Sequence, residues 1–580
     1  MSKVVVEYST YNNFGVIDMN ITKKIIACLL AIFLLTGTLL ACAQQKDTGE
    51  TKPTKPVEST PDEPPAPNWQ MGYVSTSELT FTYHDENGAT VGTLTRGTPI
   101  QYEPMKDGRT KILVDDTVRY LTITTNVVAD PALIIPDHTL FIRSAVNLRT
   151  EEGRLLKTLA QKGSAVDVIG YDYLDDAGKP HMYKVKLGEE EGYVMPWYLV
   201  DNEEDALANY DDGDYATHAA RGNWYGGGTA ANLDYFPRDK YAIEGNVMPD
   251  ECRCLYLVNW RLGEVDSYIN LAKNTGINAF VVDIADGSSI GFAGDVMYAT
   301  SPTSAKYAQC KIETYQNAIK KLKDAGFYVI GRLTTFNDTL LIKDHPEFAI
   351  TDLSGYPLRL NGEYWPTAFN RTVWQYKVDL AVEAVELMGF NEIQFDYVRF
   401  PDLTWSYDNA GTIDYHNTYG ESKAQAIQRF LMYATDILRE HGAYVSADVF
   451  GESAFTYVTS YGQYWPAISN VVDAISGMPY PDHFGADGDY KPWEHPYNTL
   501  YNWGCSAVKR QSETATPAAI RTWIQAYNAI RAPYNFYGTA EIAAQVKGLR
   551  DAGCTGGFMP WNPSSSMDKY RLLLPAFAAP

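Results

Sequence analysis

The sequence predicts an α/β chain in which a (β/α)8 barrel, of the TIM type, follows small all-β domains. Three observations carry that expectation. From about residue 252 onward, eight apolar, β-rich runs alternate with stretches of helical periodicity. Five of those stretches stop at a glycine just ahead of the next run, at Gly276, Gly326, Gly389, Gly442 and Gly553. Glycine accepts the left-handed conformation that ends a helix. Over residues 70–200 the rhythm differs, with short alternating segments separated by turns.

The chain opens on a targeting pattern. Lys23 and Lys24 form a basic region, Ile25 to Leu35 an apolar run too short to span a bilayer, and Leu39-Leu40-Ala41-Cys42 follows. This order resembles a bacterial lipobox, which implies a signal peptide over 1–42 and lipidation of Cys42. An uncleaved membrane anchor is the alternative, and both readings export the rest of the chain. Met19 stands just before the basic region, so translation from it would leave the pattern whole. Residues 43–69 are rich in Pro, Thr, Glu and Lys and have little to bury, so they read as a disordered tether. The expected location is the outer face of the cell membrane, held by lipid.

Composition narrows the partners. With 580 residues the chain exceeds one compact domain, and its net charge of -23 repels nucleic acid and anionic lipid head groups. Aromatic residues make up 13%, and these side chains serve equally as sugar platforms or as core. Beyond Cys28 in the signal and Cys42, five cysteines remain: Cys252, Cys254, Cys310, Cys505 and Cys554. Their odd number and spacing match neither a disulfide framework nor a metal site, so no metal or other cofactor is expected.

Two β units should follow the tether, over 70–130 and 136–202. In the first, TVGTLTRGTPIQYEP alternates apolar and polar residues with Gly97 as a break. The second carries Val146-Asn147-Leu148-Arg149, then Lys162-Gly163, then Gly192-Tyr193-Val194. These pieces resemble a bacterial SH3 domain, and the first copy is a divergent version without the Asn-Leu-Arg run. Such domains bind cell-wall polymer or act as spacers, and both roles stay open. The acidic and then Gly-rich stretch over 203–245 reads as a linker and barrel entry, with the barrel over 246–580.

The eight barrel runs are CLYLVNW, NAFVVDI, FYVIGRL, EIQFDYV, AYVSADVFG, VVDAISGM, IRTWIQAY and GGFMPW. Between them, Val265, Tyr268, Ile269 and Ala272 share a helix face, as do Val378, Ala381, Val382 and Val385, and Ile427, Phe430, Leu431 and Ala434. A doubly wound open sheet is the alternative, but it would show a Gly-rich phosphate loop where this chain has Asn259-Trp260-Arg261.

Barrel sites lie at the C-terminal ends of the strands. The polar residues there are Asn259 on the first run, Asp283 and Asp286 on the second and Arg332 on the third. The fourth gives Gln394, Asp396 and Arg399, and the fifth Asp448 with Glu452 beyond. Tyr480, Asp482 and His483 follow the sixth, Trp523 and Gln525 end the seventh, and Trp561 and Asn562 the eighth. Carboxylates ending apolar strands need a reason, either rim ion pairs such as Asp396 with Arg332 or Arg399, or chemistry.

The run GFNEIQFDYVRFP over 389–401, with TGINAFVVDIAD, GFYVIGRLTTFND, SADVFG and SGMPYPDHF in order, is similar to a bacterial family of glycosyl hydrolase domains. The fourth run also resembles alpha-amylase-like and alpha-galactosidase-like barrels, whose nucleophile is an Asp at this strand end. That resemblance implies Asp396 as nucleophile. Those amylases place an Arg where this chain has Gln394, and a Glu acid on the fifth strand, where this chain has Asp448 and then Glu452. Asp448 is therefore the expected acid/base, with Glu452 the other option. Cleavage needs one carboxyl to protonate the leaving oxygen and another to attack or to activate water.

Asp283, Arg332, Gln394, Arg399, Glu452, His483, Gln525 and Asn562 are candidate substrate contacts. Trp260, Trp523 and Trp561 are candidate sugar platforms or barrel-rim core. The expected partner is a polysaccharide or cell-wall glycan. Two other readings stand beside this one. One is a non-catalytic carbohydrate- or wall-binding lipoprotein that uses the barrel as a scaffold. The other is a metal-dependent hydrolase using Asp283 and His483, against which stand only nine His and no HxH or HxxEH pairing.

Overall fold

The computed structural model describes residues 68–577 apart from 76–79, 123–125, 130–137, 174–178, 210–217 and 224–225. The signal segment with Cys42, and the tether as far as residue 67, lie outside the described residues.

All eight apolar runs form strands of one parallel sheet. They are β1 (Cys252–Leu257), β2 (Ala279–Asp286), β3 (Tyr328–Thr334), β4 (Glu392–Asp396), β5 (Tyr444–Phe450), β6 (Ala474–Met478), β7 (Ala519–Ile520 and Thr522–Gln525, interrupted at Arg521) and β8 (Gly557–Trp561). Each pairs with the next, and β8 returns to β1 through Cys252 opposite Gly557, which closes the barrel. At the break in β7, Arg521 donates its backbone N–H to Ile475, so the ladder to β6 continues.

A helix follows every strand: α1 (Val265–Ala272), α2 (Ile312–Asp324), α3 (Arg371–Met388), α4 (Lys423–Glu440), α5 (Trp465–Ser469), α6 (Pro496–Gln511), α7 (Thr539–Asp551) and α8 (Met567–Phe577). The predicted faces of α1 and α4 are buried in full, and on α3 Val378, Ala381 and Val385 are buried. The five helix-ending glycines all have positive φ, from 72° at Gly389 to 92° at Gly553. A side chain there would meet the steric penalty of the left-handed region.

Two seven-stranded antiparallel sheets precede the barrel, over residues 70–128 and 138–200. Numbered within each unit, the strand order is 3-2-6-5-4-1-7 in both. The repeat read from the sequence is thus a repeat of topology. The first unit encloses its own core of Val74, Phe81, Ile100, Tyr102, Ile112 and Leu121. In the second, the apolar residues of its strands, among them Ile142, Leu148, Val166 and Val185, belong to the same continuous core as Phe430 and Met432 of α4.

Asn147, Leu148 and Arg149 are 4%, 0% and 2% exposed, and Asn147 and Arg149 bind the barrel helices. Arg149 pairs with Asp436 of α4 at 2.7 Å, and Arg371 of α3 donates to the Asn147 side chain at 2.9 Å. Tyr198 and Arg238 also donate to Asp436, at 2.9 and 2.6 Å.

The stretch over 203–245, expected as a linker, packs on the barrel. Ala230, Leu233 and Tyr235 form a small core with Ala424, Val458, Tyr464 and Ala467. Ile243 and Met248 pack under the barrel floor beside Cys252, Cys254, Tyr328 and Tyr444. The five barrel cysteines form no disulfide. Among the described residues, no helix is long and apolar enough to cross a membrane.

Candidate active site

Strand alternation turns every second residue of the barrel inward. On β4 this stacks Glu392, Gln394 and Asp396 in three layers, while Phe395 faces out against Phe430 of α4, ring to ring at 5.2 Å. In the floor layer, Glu392 accepts from Arg521 at 2.6 Å, Ser446 at 2.5 Å and Tyr328 at 3.0 Å. In the middle layer, Gln394 donates to Ser476 at 3.3 Å and to Met559 Sδ at 3.4 Å. Asp396 forms the top layer, at the C-terminal mouth.

There Arg332 of β3 is the hub. It donates Nη1 to Asp283 Oδ1 at 2.7 Å, and Nε (3.1 Å) and Nη2 to Asp396 Oδ2. Its Nε lies 3.8 Å from Asp448 Oδ2, and its Nη1 lies 3.6 Å from Asp286. Asp396 also accepts the Tyr397 backbone N–H on Oδ1 at 2.6 Å. Tyr397 sits at φ 49°, a strained position for a residue with a bulky side chain. Tyr256 donates its hydroxyl to Asp283, and Trp523 donates Nε1 to Asp448 Oδ1 at 2.8 Å. Asp448 Oδ2 has no hydrogen-bond partner among the described residues.

One guanidinium therefore faces several carboxyl groups in a nearly dry pocket. Asp283 is 0% exposed, Asp448 1% and Asp396 5%. Burial pushes Asp283 up to about 6 against the pull of Arg332. Burial, and then the neighbouring Asp396 charge, push Asp448 well above the usual carboxylate range. The protonated form of Asp448 is thereby favoured, while Asp396 accepts three N–H hydrogen bonds, two from Arg332 and one from the Tyr397 backbone.

Of the residues singled out in the sequence, Asp283, Arg332, Asp396, Asp448, Trp523 and Trp561 come together. Arg332 lies over the Trp561 ring at 5.2 Å, and Trp523 meets Trp561 edge-on at 5.5 Å. Trp523 is fully buried, so in this arrangement it is a donor to Asp448 and not an open platform. Of the two arginines considered as partners for Asp396, Arg332 fills the role. Arg399 stands between Trp365 and Phe450 and donates to Asp402 at 3.1 Å.

The remaining candidates have other surroundings. Glu452 accepts from Tyr457 at 2.7 Å and Tyr461 at 2.8 Å. His483 is exposed beside Tyr480 and Tyr527. Gln525 is buried and tied to Asp482, and Asn562 donates to Ser566 O at the start of α8. Trp260 is half exposed under Arg261. Asp283 and His483 share no partner, so the arrangement gives no support to a joint ligand set.

Two members were missed. Tyr256 sits within its run and reads as core, although its alternation with Cys252 and Cys254 would have turned it inward. Tyr397 acts through its backbone, which leaves no side-chain signal. A cavity of about 600 Å³ opens past Tyr397, lined by Asp286, Thr334, Asn337, Trp365, Tyr397 and Arg399, and Asp283, Arg332, Asp396 and Asp448 are not among the residues that line it.

The fold and this cluster define a (β/α)8-barrel protein whose site is built from strand ends at the C-terminal mouth. Over residues 254–567 the sequence matches the family described as "Putative glycosyl hydrolase domain", and the chain belongs to that family. No curated protein matches it. Among solved structures, the chain is similar to a hypothetical protein from Ruminiclostridium thermocellum, at 35% identity over 34% of this chain and 97% of the other, with a TM-score of 0.29. It is also similar to the glycoside hydrolase domain of PgaB (BpsB) from Bordetella bronchiseptica, at 13% identity over 56% and 98%, with a TM-score of 0.41. A third similarity is to catalytic domain 2 of the Ostrinia furnacalis Group II chitinase, at 13% identity over 57% and 96%, with a TM-score of 0.35.

Proposed function

We propose that this chain is a cell-surface, lipid-anchored glycoside hydrolase acting on a polysaccharide or cell-wall glycan, with Asp396 as nucleophile and Asp448 as acid/base. The observation that carries the reading is the unequal grip of Arg332. Its two N–H groups hold the Asp396 carboxylate, while Asp448 lies beyond hydrogen-bond reach and is pushed toward its protonated form by burial and by Asp396. Two carboxyl groups with opposed environments are what acid-assisted glycoside cleavage uses. Asp448 would give its proton to the leaving oxygen from Oδ2, the oxygen without a partner, while Trp523 fixes Oδ1. Asp396 would attack the anomeric carbon through Oδ1, steered by the Tyr397 N–H. Sugar enters from the cavity beside Tyr397, and the side chains over the carboxylates must shift to admit it.

A second reading, a non-catalytic carbohydrate- or wall-binding lipoprotein, is favoured by the near-complete burial of all three aspartates. Asp396→Asn separates the two. Turnover of a cleaved glycan lost by several orders of magnitude, with the fold intact, supports catalysis. Loss of stability with activity per folded molecule unchanged removes it.

Lipid anchoring rests on Lys23, Lys24, the apolar run and Leu39-Leu40-Ala41-Cys42. Cys42→Ala should release the protein from membranes or leave it unprocessed. Membrane retention with a normally processed N-terminus would remove the assignment.

A further inference from the structure

The cavity of about 600 Å³ past Tyr397 has the size of a small-molecule site, and its wall carries polar groups that no other described residue engages. The Tyr397 hydroxyl and the Asn337 amide belong to this wall. Neither has a hydrogen-bond partner among the described residues, and neither is sealed from solvent. Arg399 lines the same wall. Its Nη1 donates to Phe400 O at 3.0 Å and to Asp402 at 3.1 Å, while its Nε and Nη2 make no hydrogen bond among the described residues and are likewise open.

These groups are held in place by the chain itself. The Arg399 guanidinium lies between the Trp365 ring at 5.0 Å and the Phe450 ring at 4.3 Å, which fixes its plane. Tyr397 meets the Trp365 ring at 6.0 Å and stands at φ 49°. A bulky residue kept in the left-handed region points to a use for its position. Here the backbone N–H serves Asp396, and the side chain serves the cavity.

Charge on this wall is offset group by group. Asp402 is held by Arg399 and by the Asn361 amide at 2.8 Å, and Asp286 lies 3.6 Å from Arg332. Glu363 and Lys343, both exposed, add one charge of each sign. An anionic ligand would meet the carboxylates and a cationic one the two basic side chains, with no excess of opposite charge to offset desolvation. An uncharged sugar suits the wall better. Each of its hydroxyls both donates and accepts, and so matches a phenol, an amide and a guanidinium edge together.

We propose that this cavity is the subsite for uncharged sugar units, with Tyr397, Asn337 and Arg399 as the residues that select them. The assignment rests on the reading of the chain as glycan-acting, and it narrows the substrate to a polysaccharide that is neutral next to the cleaved bond.

The test is calorimetric titration of the full chain with oligosaccharides of equal length. The probes are neutral oligomers of glucose, mannose and N-acetylglucosamine, an anionic oligogalacturonate and a cationic glucosamine oligomer. Saturable binding of a neutral oligomer is expected, with both charged ones weaker. Tyr397→Phe keeps the ring and the backbone N–H and removes only the open hydroxyl, so it should fold as the wild type does and weaken binding about three- to tenfold. Asn337→Ala should weaken binding by a similar factor and serves if Tyr397→Phe lowers the melting temperature. Tightest binding of a charged oligomer, no binding of any neutral one, or neutral binding that neither variant alters overturns the proposal. Neutral binding that both variants weaken, with no turnover of the bound oligomer, upholds the subsite and counts against the hydrolase reading alone. Turnover with binding insensitive to both variants does the reverse.

Discussion

Arg149 and Asp436, 287 positions apart in the sequence, form a 2.7 Å ion pair that joins the second β unit to α4 of the barrel. Both side chains are almost fully buried, and Tyr198 and Arg238 converge on the same carboxylate. Removing one partner of such a group strands the others without solvent, which costs far more than the pair contributes over an apolar substitute. Asp436→Asn should therefore lower the unfolding free energy by about 3–5 kcal/mol in a denaturant titration. A change under about 1 kcal/mol would show that the interface is loose in solution.

The same interface bears on truncation. A fragment beginning near residue 215 leaves Leu155, Asn147 and Arg149 absent from the surfaces of α3 and α4 that they cover. It should be less soluble and melt lower than the full chain. A fragment with the melting temperature of the full chain would mean that the β unit contributes nothing to the barrel.

His181 supplies a pH dependence. It bonds Asp172 in its own unit and Glu440 on α4, and these contacts push its pKa from 6.5 up to about 9. Because the folded value is the higher one, the stabilisation is fully present below pH 6.5 and is lost as pH rises through about 9. The melting-temperature gap between wild type and His181→Asn should shrink over that window. A gap that stays constant from pH 6 to pH 10 would contradict the bridge.

Asp448→Asn keeps the shape of the site and removes the proton. Turnover of substrates with poor leaving groups should fall ~10²–10⁴-fold, and activated aryl glycosides should be affected far less. Wild-type turnover should also decline as pH climbs through the raised Asp448 pKa, since the acid form is then lost. An unchanged ratio between the two substrate types would move the acid role elsewhere, with Glu452 the next residue to vary.

What was legible in the sequence followed from periodicity. Runs such as FYVIGRL and EIQFDYV are buried on both faces of a parallel sheet, so they read as continuous apolar stretches with a polar residue at one end. Arg332 and Asp396 stood out for that reason. Gln525 and Asn562 occupy comparable strand ends but serve loop hydrogen bonds, and strand position alone does not separate the two uses. The docking of the second β unit was illegible because Asn147 and Arg149 are polar. A polar residue buried against a partner 200 or more positions away looks like a solvated one until the partner is known. The stretch over 203–245 misled through composition, since its buried contacts come from scattered residues such as Tyr235 and Ile243 rather than from a periodic face.

The shared strand order of the two β units goes with two different placements of the same topology. The second unit carries the Asn-Leu-Arg run buried, with Asn147 and Arg149 bound to α3 and α4, so those three residues are not open to a partner outside the chain. The first copy lacks that run and keeps a self-contained core. Any ligand captured by the first unit would have to be met by surface chemistry of its own, and exchanging the two copies in the gene would leave the barrel without its neighbour.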